Sequence, residues 1–205
     1  MIPADSRAAL VLGRWMKIRQ RRNLTKLMRE PVHAEPAAAA ERVRYEGYGP
    51  GGAAVLLDCL TTDRLRTAAE LRRLFRGEGC QLGASGSIAY LFNEVGVLNY
   101  EPGAALPGLA SAALEAGAED VVTDPDGSIE VLTDPADFAV VRAALAAAGH
   151  HPRESAVMWR AAVDIELDPA QGSALLSLLE ALERVEDIQS IYTNATIPDE
   201  VLESV

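Results

Sequence analysis

The order of strand and helix signals predicts an α+β protein. It is read as a short N-terminal helical segment followed by two α/β domains of the ferredoxin-like, split βαβ kind, one inserted in the other. Three observations carry this. Between residues 95 and 167 the signals run strand, helix, strand, strand, helix, strand, the split βαβ order. Residues 43 to 92 hold only one strand-helix-strand unit, and a further helix and strand follow residue 168, so the C-terminal pair is expected to return and complete that unit. Residues 1 to 44 carry ten Lys/Arg against four Asp/Glu, whereas the rest carries nine against twenty-six, which marks the front as a separate part. The expected division is 1–40 as basic helical segment and linker, 41–94 with 168–205 as a discontinuous domain, and 95–167 as the insert.

In chain order, Leu10, Val11, Arg14, Trp15 and Ile18, then Leu24, Leu27 and Met28, fall near helical spacing. Pro31 ends that segment, and His33 to Ala40 reads as a linker or short alanine helix. Residues 53 to 60 alternate as a strand, with Val55, Leu57 and Cys59 facing one way and Leu56, Asp58 and Leu60 the other. Thr62 or Asp63 starts a helix buried through Ala68, Leu71, Leu74 and Phe75 and ended by Gly77 or Gly79. Ile88, Tyr90 and Phe92 alternate as a second strand, and Val95 to Leu98 begin another. Leu106, Leu109, Ala113 and Leu114 mark a helix closed at Gly117. Strands at Val121–Thr123 and Ile129–Leu132 are joined around Asp124-Pro125-Asp126-Gly127, a hairpin signal. Asp134-Pro135 reads as N-cap and first helical position, with Phe138, Val141 and Leu145 buried and Gly149 as terminator. Residues 155 to 167 read as a strand. After Asp168-Pro169, Leu175, Leu178, Leu179 and Leu182 form an i, i+3, i+4, i+7 stripe, and Ile188 to Tyr192 a strand.

The bulk numbers narrow the function. A hydrophobic fraction of 49% and a charged fraction of 24% are those of a soluble globular chain. No apolar run approaches the roughly 18 residues of a membrane helix. Ala8 to Leu12 is a very short apolar core with no positive segment before it, which argues against a secretory signal and for a cytoplasmic protein. Cys59 and Cys80 are too few and too far apart for a disulfide framework or zinc ribbon, and the three histidines have no ligand-spaced partners. No metal or cofactor is expected. No Ser/His/Asp or Cys/His constellation is readable, and Glu180, Glu183, Glu186 and Asp187 fit a solubilising face, so an enzyme is the weakest class. The net charge of −11 argues against wrapping a duplex over the whole surface, while the basic front argues for a local polyanion contact.

The run Gly47 to Gly52 invites a phosphate-loop reading. It lacks the Gly-Lys-Ser/Thr ending and precedes a strand rather than a helix, so it is read as a turn in which glycines supply positive φ and Pro50 adds stiffness. Arg64, Arg66, Arg72, Arg73 and Arg76 cluster on one helix start and its flank; in an acidic body they are candidates for polyanion contact.

Several stretches resemble the YebC family, also called the PmpR family, of transcriptional regulators, which includes mitochondrial translational activators of cytochrome oxidase synthesis. They are Arg44-Tyr45-Glu46-Gly47-Tyr48-Gly49-Pro50-Gly51-Gly52, Leu60-Thr61-Thr62-Asp63-Arg64-Leu65-Arg66-Thr67, Gly83-Ala84-Ser85-Gly86-Ser87, Gly117-Ala118-Glu119-Asp120 and Leu182 to Asn194. The resemblance implies a helical N-terminal domain and two α/β domains, one inserted in the other. It also implies DNA binding in transcriptional control, or action on the ribosome as a translation factor. The departures are at the front, where only Arg14 to Ile18 and Thr25 to Glu30 match a longer basic three-helix domain, and at Leu65, where the family pattern usually has a polar residue. The expected nucleic-acid-binding residues are Arg14, Lys17, Arg19, Arg21, Arg22, Lys26, Tyr48, Arg64, Arg66 and Arg73, with DNA or ribosomal RNA as partner. The alternative is a shortened paralogue acting as a protein-interaction module through its acidic body.

Overall fold

The computed structural model describes residues 40–102, 108–124 and 127–203. The helices expected at 7–30, the linker to residue 39, Leu106 and the hairpin tip at 125–126 lie outside these residues. Among the described residues the chain forms an α+β fold with two compact units. Of these residues, one unit holds 40–92 and 161–203, and the other holds those between 93 and 160.

The first unit opens with β1 (Glu41–Tyr48), a 3-10 turn (Pro50–Gly52) and β2 (Ala54–Thr61), paired antiparallel along their whole length from Glu41–Thr61 to Tyr48–Ala54. Helix α1 (Arg64–Gly77) follows, then the short β3 (Gln81–Leu82). After the excursion through the second unit come β8 (Ile165–Glu166), α4 (Pro169–Glu183), β9 (Ile188–Thr193), β10 (Ala195–Thr196) and α5 (Asp199–Glu203). The main sheet has the order β3-β1-β2-β9, and β10 pairs with β8 in parallel. Val55, Leu57 and Cys59 of β2 and Ile188 and Ile191 of β9 meet Leu71 and Phe75 of α1 and the leucines of α4 in one core. The stripe Leu175, Leu178, Leu179 and Leu182 is buried there throughout. Helix α4 begins with Asp168 and Gln171 in a reciprocal capping box and Pro169 in the first turn.

The second unit runs β4 (Phe92–Tyr100), α2 (Leu109–Glu115), β5 (Asp120–Thr123), β6 (Ile129–Thr133), α3 (Phe138–Ala147) and β7 (Glu154–Ala161), with sheet order β5-β6-β4-β7. This is the ferredoxin-like arrangement. Its helices pack through Leu109, Ala113, Val141 and Leu145 onto Leu98, Tyr100 and Val131.

Four details differ from the sequence reading. The stretch 41–48 is a full strand. Residues 88–92 are not a strand: Ala89–Leu91 is a 3-10 turn, Ile88 and Phe92 are buried and Tyr90 is 74% exposed, so burial recurs after four residues instead of alternating. The single strand expected over 155–167 is broken, because β7 ends at Ala161 and β8 pairs instead with β10. Helix α3 starts at Phe138; Asp134 organises the turn before it, its side chain accepting from Ala136 N and its carbonyl from Phe138 N.

Candidate nucleic-acid interface

The corner between β2 and α1 is fixed from several directions. Asp63 caps the helix, its Oδ1 accepting Leu65 N and Arg66 N at 3.0 Å each. Thr61 Oγ1 accepts Asp63 N at 3.0 Å and shares a 2.8 Å hydrogen bond with Thr67 Oγ1. Leu60 N donates to Asp187 O at 2.8 Å. Arg66 Nη2 reaches both carboxylate oxygens of Asp187, at 2.9 and 2.7 Å, and Thr67 Oγ1 donates to the same carboxylate. The Asp187 side chain is 13% exposed and that of Arg66 56%, so the pair sits at the surface with its acidic end inside.

Arg64 stands differently. Its Nε lies 3.5 Å from Glu41 Oε1, its carbonyl accepts Tyr45 Oη at 3.0 Å, and its side chain is exposed. Burial first, then the charge of buried Cys59, pushes the Tyr45 phenol above its ordinary range, while Arg64 pulls the other way. Arg72, Arg73 and Arg76 are exposed and form no ion pair with a described residue. At 3.6 residues per turn these three fall within about 100° of one another on the exposed side of α1. Leu65 beside them is 83% exposed.

Tyr48 lies elsewhere. It ends β1, seven residues and roughly 23 Å of strand from Glu41 and hence from Arg64. Its hydroxyl donates to Ser87 O at 2.9 Å. The structure therefore does not bring Tyr48 together with Arg64 and Arg66, while Arg73 lies on the same helix as both. Arg14, Lys17, Arg19, Arg21, Arg22 and Lys26 lie outside the described residues.

Glu46 was missed by the sequence reading. Its side chain is buried, yet it carries a carboxylate that accepts Gly86 N at 2.7 Å, Ile88 N at 2.8 Å and Ala89 N at 3.0 Å. Burial works to raise its pKa, but the three main-chain donors, helped by Arg44, win and hold it below the ordinary glutamate value. Gly83 N donates to Glu46 O at 2.7 Å. The loop at 83–89 is thus an anion cradle already filled by the chain's own carboxylate. No local spacing signals this, because the partners lie some forty residues away.

The turn at 49–52 serves packing. Gly51 (φ 65°) faces Leu167 and Gln171 so closely that a Cβ would meet them at 2.6 and 2.9 Å, and Gly52 has φ 82°. Asn194, also missed, is 3% exposed; its Oδ1 accepts Ala54 N at 2.8 Å and its Nδ2 donates to Val163 O at 3.3 Å. It holds the returning chain against β2. Among the described residues no helix is long and apolar enough to cross a membrane.

Comparison with known proteins is consistent across sequence and structure. The family model described as TACO1/YebC second and third domain matches residues 40–195. A protein of Francisella tularensis subsp. novicida named "Probable transcriptional regulatory protein" is 42% identical over 171 residues, covering 83% of this chain and 69% of that protein. A Paraburkholderia phytofirmans protein with the same name is 44% identical over 178 residues, covering 87% and 74%. The crystal structure of a conserved hypothetical protein, Aq1575, from Aquifex aeolicus matches with a TM-score of 0.73 and 29% identity over 91% of this chain and 79% of that one. By these matches the chain belongs to the TACO1/YebC family.

Proposed function

We propose that this protein is a non-enzymatic regulator of gene expression that acts by binding a nucleic-acid backbone. The observation that carries the reading is the set Arg64, Arg72, Arg73 and Arg76, exposed on one helix of a chain whose net charge is −11. Such a set is the electrostatic footprint of phosphate contact. The names carried by the Francisella and Paraburkholderia relatives support a regulatory role. The sequence adds Arg14, Lys17, Arg19, Arg21, Arg22 and Lys26 to the same polyanion contact. Arg66 serves it by fixing the corner through Asp187, and Tyr48 by holding the 83–89 loop. The main-chain N–H groups of Leu65 and Arg66 in the first turn of α1 are taken by Asp63, which leaves the contact to the arginine side chains.

The test is binding to duplex DNA and to purified ribosomes across a salt series. The logarithm of affinity falls with the logarithm of salt by about 0.9 per duplex phosphate neutralised. Replacing Arg72, Arg73 and Arg76 by Glu is expected to weaken binding and flatten that slope by about three. An unchanged slope removes α1 from the site. Loss of the slope with DNA alone, or with ribosomes alone, identifies the partner. The segment 93–160 carries eleven Asp/Glu against three Lys/Arg; binding to neither nucleic acid would favour the second reading, a protein-interaction module working through this acidic surface.

A further inference from the structure

Among the described residues no strand pairs with the outer edge of β9, and we propose that this edge is a self-association surface on which two copies of this chain join by antiparallel pairing of β9 with β9. The inference is independent of the nucleic-acid reading. Sheet order ends at β9. Its inner side is set by the pairs Leu56–Tyr192 and Asp58–Ser190, in register with the hydrogen bond from Asn194 N to Ala54 O. In an antiparallel ladder alternate residues turn their main-chain groups the same way. Ser190 and Tyr192 therefore point theirs at β2, and Ile191 and Thr193 point N–H and C=O away from the sheet. No main-chain hydrogen bond among the described residues uses these four groups.

Strand edges are normally guarded by charge, proline or brevity. The opposite side of the same sheet follows that rule: β3 is two residues long, and beyond it β1 presents Glu41, Arg42 and Arg44. The sequence of β9, Ile188-Gln189-Ser190-Ile191-Tyr192-Thr193, has no charge, proline or glycine, and four of its six residues are β-branched or aromatic. Its irregularity is at the register shift between Asp58 and Cys59, which leaves Ser190 to Thr193 regular.

A second copy fits this edge because the strand is self-complementary. Glu186 and Asp187 precede it and Asn194-Ala195-Thr196 follow it. Antiparallel pairing about a two-fold axis sets the acidic flank of one copy beside the uncharged tail of the other; parallel pairing would set the acidic flanks side by side. The resulting contact continues each four-stranded sheet into its copy.

Sedimentation equilibrium of the full chain, from about 1 µM to about 1 mM, tests the proposal. The expected result is a concentration-dependent dimer that tightens with added salt, since two bodies of like net charge repel less when screened. Nucleic-acid binding has the opposite salt dependence, so the two readings fail separately. Thr193→Pro removes an outward N–H while leaving the bonds to β2, and Ser190→Lys places like charges on the paired strands. Each is expected to raise the dimer dissociation constant by about tenfold or more with unchanged circular dichroism, and mixing Ser190→Lys with Ser190→Glu chains to restore pairing. A chain that stays monomeric over the whole range, or a dimer indifferent to both substitutions, overturns the proposal.

Discussion

The carboxylate of Glu46 accepts the main-chain N–H of Ile88 at 2.8 Å across 42 residues of sequence, and it does so from a buried position. With Gly86 and Ala89 also donating, one side chain organises the loop from Gly83 to Leu91. Glu46→Ala leaves three main-chain donors without their partner and is expected to cost on the order of 3 kcal/mol. Amide exchange at Gly86, Ile88 and Ala89 should accelerate well beyond exchange in the leucine face of α4.

The pH dependence has a definite sign. Glu46 is depressed below its ordinary value of 4.5 in the folded chain. Its stabilisation is therefore fully present above that range and is lost as pH falls through the lower folded value. Protection of the three amides should fall in the same acidic window. Glu46→Gln should remove this pH response, and a response that persists would assign it to another group.

Asp187 and Arg66 are predicted to be unequal partners. Asp187→Ala strips the corner of its acceptor for Arg66 and Thr67, and a cost of about 1–3 kcal/mol is expected in chemical denaturation. Arg66→Ala removes a half-exposed partner and should cost under about 1 kcal/mol. Equal losses would show that the arginine's packing matters as much as the acceptor.

Gly47 faces Phe75 with no room for a methyl group. Since its backbone is an ordinary strand position, the restriction is steric. Gly47→Ala should destabilise by about 1–3 kcal/mol through overpacking. Combining it with Phe75→Leu should recover part of the loss; purely additive costs would refute the contact as the cause.

The two thiols should separate in rate. Burial, then the charges of Asp187 and Asp58, pushes Cys59 up to about 12. At pH 8 only about one part in 10,000 of it is thiolate. Cys80 is half-buried and raised less severely, by burial and then Glu78. A thiol reagent should modify Cys80 in the native chain and Cys59 only on unfolding; native labelling of Cys59 at a comparable rate would contradict its burial.

Elements with strong local signals were legible: the leucine stripe of α4, which follows Asp168-Pro169, and the β5–β6 pair stand where the sequence puts them, and of the two helix starts it offers, Thr62 or Asp63, the structure takes Asp63. Strand β1 was not, although Arg42, Arg44 and Glu46 alternate with Val43, Tyr45 and Gly47, because the glycine run drew the reading toward a turn. At 88–92 the error was of period, a single 3-10 turn read as alternation. The arginines of α1 were legible as a group, but Arg66 differs from Arg73 through Asp187, 121 residues away. Glu46 and Asn194 left no signature, since buried polar groups satisfied by distant main chain look in sequence like any surface Glu or Asn.

Both sheets share one plan, and only their chain order differs. In β5-β6-β4-β7 the strand beside the first is made third; in β3-β1-β2-β9 that slot is filled by β1, made before the others. The chain therefore lays down no further strand of that sheet between β3 and α4. That stretch is a vacancy in the assembly sequence, closed by the hydrogen bond from Ala162 N to Leu91 O at 2.8 Å. A short bridge from Leu91 to Ala162 would leave out the long excursion without removing a strand from the β3-β1-β2-β9 sheet.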